Sequence, residues 1–231
     1  MTVAADRAGY DITEEARVTG GGIRQPLLVR AAAQILSFLF HPVLIPVYVS
    51  FFMVFVHPSL FAGYTFLAKR NLMGTVVVNL CFLPAFTVFL CWRLKFTSSM
   101  FLKTQKERII PLAAAMIFYF WCWYVLHDFV AIPVLFRQFM LGCFATIIAA
   151  WMANIYYKIS LHALAAGGMA CFMLLMSVSA DGFSALYISV AILIAGAVGS
   201  ARLIVSDHRP FEVYSGLAIG ALCQLIALWL N

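Results

Sequence analysis

Apolar residues fall along this chain in long blocks separated by short polar breaks. Seven blocks, near residues 33–56, 72–92, 111–127, 132–153, 163–180, 184–201 and 213–230, reach or approach bilayer-crossing length. An α-helix needs ~20 residues for that. Backbone polar groups in hydrocarbon have to be satisfied within the structure, and these runs are too long for barrel strands, so the blocks predict helices. The expected fold is an all-α polytopic membrane helix bundle with about six to seven transmembrane helices. Pro42, Pro46, Pro84 and Pro133 are expected to kink or begin spans. The first block, with His41, Pro42 and Pro46, is the one expected to be re-entrant. Small-residue runs at 165–168 and 196–199 suit close helix contact. The connections are short, so residues 32–231 read as one helical domain after a polar tail, 1–31.

Composition excludes a water-soluble fold. The chain is 65% hydrophobic and 10% charged, against ~25% charged in ordinary globular domains. The net charge of +6 is dispersed and forms no stripe for nucleic acid. The expected surroundings are a lipid bilayer. The first 30 residues lack an apolar core of the kind a cleavable signal needs. All six cysteines lie inside apolar stretches without metal-type spacing, and read as small core- or lipid-facing residues.

Counting crossings puts the tail and residues 93–110, 154–162 and 202–212 on one face. Of the fifteen Lys and Arg, only Lys69, Arg70 and Arg137 belong to the other. Setting aside Lys103, Arg108, Arg202 and Arg209 still leaves eight against three. The positive-inside rule then turns the first face to the cytoplasm of a cytoplasmic (inner) membrane.

That face gathers the polar chemistry. Its segments are 103–111, 158–162 and 202–212. The interval from Pro111 to Lys158 is 47 residues and that from His162 to His208 is 46. Each fits a hairpin of two ~20-residue helices, which returns every segment to the same depth. Arg202, His208 and Glu212 stand in the order of a cation, an imidazole, and a carboxylate about one helical turn further on.

These segments resemble the type 2 phosphatidic acid phosphatase family, which carries Lys-x6-Arg-Pro, Pro-Ser-Gly-His and Ser-Arg-x5-His-x3-Asp. Arg202, His208 and Glu212 keep the register of the third motif, with Glu for Asp and Ala201 for Ser. Ser160 and His162 keep the second, with Ile159 for Pro and Leu161 for Gly. Lys103 and Pro111 fit the first, where Ile110 stands in the place of Arg and Arg108 is two residues earlier. The resemblance covers roughly residues 100–220.

The resemblance implies a membrane phosphatase acting on a lipid phosphate or diphosphate through a phosphohistidine. His208 would be the nucleophile, Glu212 would orient it, and His162 would be general acid and then base. Lys103, Arg108, Ser160 and Arg202 would hold phosphate oxygens. Neither a metal nor another cofactor is expected, since cations converge without an acidic cluster. Pro210 suits the first turn of a helix, which places His208 near a positive helix terminus. A lipid phosphotransferase with an alcohol acceptor would use the same histidine, and a non-catalytic protein binding anionic lipid is the third class. His41, His57 and His127 read as structural.

Overall fold

The computed structural model describes residues 26–102, 104–129, 131–179, 185–205 and 208–230. Helix α1 is Leu27–Leu39 and α2 is Ile45–Val56. Then follow α3 (Phe66–Arg93), α4 (Gln105–His127), α5 (Val134–Tyr156), α6 (Leu161–Ser179), α7 (Ala185–Val205) and α8 (Pro210–Trp229). Helices α3 to α8 are long and apolar enough to cross a membrane. The chain is therefore an all-α polytopic bundle and an integral membrane protein.

The first apolar block is not one span. It divides at His41 and Pro42 into α1 and α2. Proline has no N–H to extend the helix, and its ring disfavours helical backbone at His41. Helix α2 is 12 residues, ~18 Å, and finishes in a π-turn over Phe52–Val56. It nevertheless does not turn back. At one end His41 packs on His162 at the start of α6. At the other Phe52 packs on Tyr187 at the start of α7, and Phe61 just beyond packs on Phe136 near the start of α5. Both of those residues lie at the ends of their helices remote from Arg202 and Tyr156.

Proline also marks a defect in α3. A π-turn at Val78–Phe82 precedes Pro84, and the Tyr119 hydroxyl donates to the Leu80 carbonyl across the gap to α4 (3.2 Å). Helices α6 and α8 pack closely because glycines face backbone. A Cβ on Gly220 would run into the Leu164 carbonyl, and one on Gly167 into that of Leu217. The core lies between helices α2 to α7, around Met53, Val76, Phe136, Phe139 and Phe172. Helix α1 packs along α7 with Ala33 buried and most other residues exposed.

Candidate functional site

The beginning of α4 is fixed by its cap. Thr104 accepts from the Glu107 N–H (3.3 Å), and Glu107 accepts from that of Thr104 (3.1 Å). Glu107 also takes the N–H and hydroxyl of Ser98 (2.8 and 2.5 Å), tying down the preceding loop. Gln105 and Asn154 exchange side-chain to backbone hydrogen bonds at 2.9 Å in both directions, joining α4 to the end of α5. One turn on, the Arg108 guanidinium is buried. Its Nε donates to the Leu102 carbonyl (3.1 Å) and its Nη1 to that of Ile159 (2.9 Å). Leu102 has a positive φ of 47°, and the turned backbone offers its carbonyl to Arg108. Ile110, standing where the resembled motif has arginine, is half exposed; Arg108 is the cation that points inward.

The start of α8 positions the imidazole. Pro210 opens the helix, and the Glu212 carboxylate reaches back to the Arg209 N–H (3.3 Å). The same Oε2 lies 2.6 Å from His208 Nδ1. An ionised carboxylate accepts only, so Nδ1 carries the proton and Nε2 is left bare. Burial pushes the His208 pKa below its ordinary value, the Glu212 hydrogen bond opposes that, and the Arg108 and Arg202 charges reinforce it. The neutral imidazole is thereby favoured near neutrality, the form that can attack an electrophile.

A cavity of about 930 Å³ connects these groups. Its polar end is lined by Arg108, Lys158, His162, Arg202 and His208, together with Ser37 and His41 from the α1–α2 segment. It continues past Leu112, Ala115 and Ile147 to Tyr119 and Phe139. Tyr119 is 11 residues beyond Arg108 on α4, a depth of ~16 Å along the helix. Phe38, near the end of α1, and Phe101, in the loop before α4, also line it while being 81% and 83% exposed, so its edge carries exposed aromatic side chains.

Arg108, His162, Arg202 and His208, expected from the sequence, thus share one cavity, with Glu212 behind His208. Lys103 lies outside the described residues. Ser160 departs from the expectation. It is fully buried, is not in the cavity wall, and its hydroxyl has no hydrogen-bond partner among the described residues. Ser160 stands just before α6, which begins at Leu161, and its buried side chain is not among the cavity-lining groups. What Ser160 supplies is backbone: its N–H donates to the Glu212 carbonyl (3.1 Å), tying the start of α6 to that of α8.

The chain reading set His41 aside, yet its ring lies 5.4 Å from that of His162, edge-on at 78°. His162 Nε2 is 3.0 Å from the Ser37 carbonyl, and Arg202 Nη1 is 3.5 Å from the Ser37 hydroxyl. The signal for His41 was the His-Pro break in an apolar run at the depth of the motif face. His57 accepts backbone N–H groups of Ser59 and Leu60 (both 3.4 Å) and His127 pairs with Asp128 (3.3 Å); both lie outside the cavity lining. Among the described residues no group of three or more His, Cys, Asp or Glu side chains is placed to hold a metal ion. Comparison of the chain with protein-family models, with characterised proteins and with solved structures finds no match.

Proposed function

We propose that this protein is a membrane-embedded lipid phosphate phosphatase of the type 2 phosphatidic acid phosphatase kind. The observation that carries the reading is the His208–Glu212 pair (2.6 Å) at the cationic end of a cavity that otherwise runs through apolar helix surfaces. An anionic headgroup fits the cationic end, and an apolar tail fits the rest. The exposed Phe38 and Phe101 side chains at its edge suit a substrate that arrives from the bilayer.

The residues supply each step. Arg108 and Arg202 neutralise phosphate oxygens, where stabilising charge and position is most of the task in phosphoryl transfer. His208 Nε2 forms a bond to phosphorus as the bond from phosphorus to the tail oxygen breaks. His162 gives that oxygen its proton. In the second half-reaction His162 takes a proton from water, whose oxygen attacks phosphorus. The Nε2–phosphorus bond breaks and inorganic phosphate leaves. Glu212 holds the His208 tautomer throughout. The charge distribution favours a site on the cytoplasmic face of a cytoplasmic membrane.

The test is release of phosphate from long-chain lipid phosphates and diphosphates by the purified chain, in chelator and with and without an alcohol acceptor. Phosphate release without added metal supports the reading. Release that disappears in chelator and returns with magnesium contradicts the metal-independent chemistry. Transfer to the alcohol in preference to water would make the protein a phosphotransferase.

A further inference from the structure

We propose that the end of α1 is a working part of this site. The Ser37 carbonyl and the His41 ring act as positioning groups that hold His162 in the orientation from which it delivers its proton. The inference rests on the phosphatase reading above, and it concerns residues outside all three motif segments.

The last carbonyls of a helix have no partner within it. In α1 the Phe40 N–H closes onto the Leu36 carbonyl (2.9 Å), and the chain then leaves the helix at His41 and Pro42. The next carbonyl, that of Ser37, lies 3.0 Å from His162 Nε2 across 125 residues of sequence. A carbonyl can only accept, so Nε2 carries a proton in this contact. The second ring nitrogen, Nδ1, is the one left for a reacting group: in the doubly protonated ring it carries the proton that passes to the leaving oxygen, and the neutral ring that remains keeps its Nε2 proton on Ser37. His162 therefore caps α1, and α1 fixes which nitrogen of His162 is committed.

His41 bounds the ring on another side, edge-on at 5.4 Å. Its own backbone is anchored, because the Leu44 and Ile45 N–H groups donate to the His41 carbonyl (2.8 and 3.3 Å) in the turn that opens α2. A swing of the His162 ring would break the Ser37 bond and press on the His41 edge. Such holding matters for proton transfer, where a displacement of ~1 Å can cost on the order of a hundredfold in rate.

The leaving group separates this role from a structural one. An alkoxide leaving from phosphorus needs the proton that His162 gives it. A nitrophenolate is stable as the anion and leaves without one. Loosening His162 therefore slows the first substrate and spares the second, whereas general damage to the site slows both.

The experiment uses the full chain in lipid vesicles with a long-chain alkyl phosphate and an alkyl-substituted nitrophenyl phosphate of similar length. The variants are His41→Ala, His41→Phe, which keeps a ring edge against His162, and Ala33→Trp. The last places bulk at the buried face of α1, where it packs along α7, and pushes that helix outward. Thermal unfolding and gel filtration verify that each variant is folded. His41→Ala and Ala33→Trp are expected to lose roughly ten- to a hundredfold on the alkyl phosphate, a part of the ~10²–10⁴ that general acid–base catalysis supplies. On the nitrophenyl substrate the same variants should lose less than about threefold. His41→Phe should recover most of the alkyl phosphate rate.

A parallel fall on both substrates, or no fall on either, overturns the positioning role and leaves the phosphatase reading standing. A wild-type protein that hydrolyses neither substrate removes the phosphatase reading and this inference with it.

Discussion

His208 Nδ1 and Glu212 Oε2 are 2.6 Å apart, and that bond commits one face of the imidazole to the protein and the other to the cavity. The spacing of four residues does not put them on one regular helix, because α8 begins at Pro210, between them. His208 precedes the helix and Glu212 occupies its first turn, so the carboxylate meets the imidazole and the Arg209 N–H together. The charge balance of the whole site passes through this pair.

A pH profile reads that balance. His208 is held below its ordinary value of 6.5, first by burial and then by Arg108 and Arg202. A neutral nucleophile is lost as pH falls through the lowered value, so the acid limb of kcat/KM, which reads the free enzyme, should have its midpoint below 6.5. Arg108→Gln removes a charge that lowers the value, so the limb should move to higher pH. Glu212→Gln removes a contact that raises it, so the limb should move to lower pH. Substrate ionisation is common to all three proteins and cancels in the comparison. Shifts in the same direction for both variants would contradict the arrangement.

The packing of α6 against α8 can be tested by two glycines. Gly220→Ala puts a methyl onto the Leu164 carbonyl and should destabilise by about 1–3 kcal/mol, as overpacking does. It should also lower activity, since α6 carries His162 and the start of α8 adjoins His208. Gly196→Ala, with nothing within 4 Å of the new methyl, should be neutral or stabilising by up to ~1 kcal/mol through helix propensity. Thermal unfolding of the two variants in the same detergent compares them. Equal stabilities would contradict the close contact.

Much of this was legible in the chain. Six spans follow from apolar length, because hydrocarbon imposes both the length and the helix. The His208–Glu212 pair follows from spacing, Arg108 is the nearest arginine to a motif position that Ile110 holds, and the hairpin intervals bring their segments to one depth. The division of the first block was not legible as an event. Residues 33–56 are apolar almost throughout, and His41 with Pro42 is a short signal within them. The contact between Ser37 and His162 had no sequence signal at all, since a backbone carbonyl belongs to every residue type. Ser160 stands in the resembled motif, yet its side chain is buried just before α6 and does not line the cavity.

The cytoplasmic-facing site proposed from the charge count has a direct test. With native cysteines replaced and Lys106→Cys added at the exposed start of α4, an impermeant thiol reagent on intact cells should give no label until the membrane is permeabilised. Label on intact cells would place the site outside.

The measurement that tests the central claim is a phosphoenzyme trap. The purified protein is mixed with a ³²P-labelled lipid phosphate, quenched rapidly at alkaline pH, and the labelled residue is identified. The account predicts acid-labile, alkali-stable label on His208. The label should be absent in His208→Ala, whose turnover falls by roughly a thousandfold or more, while Glu212→Gln loses less, roughly ten- to a hundredfold. Label on another residue, or undiminished turnover in folded His208→Ala, would contradict it.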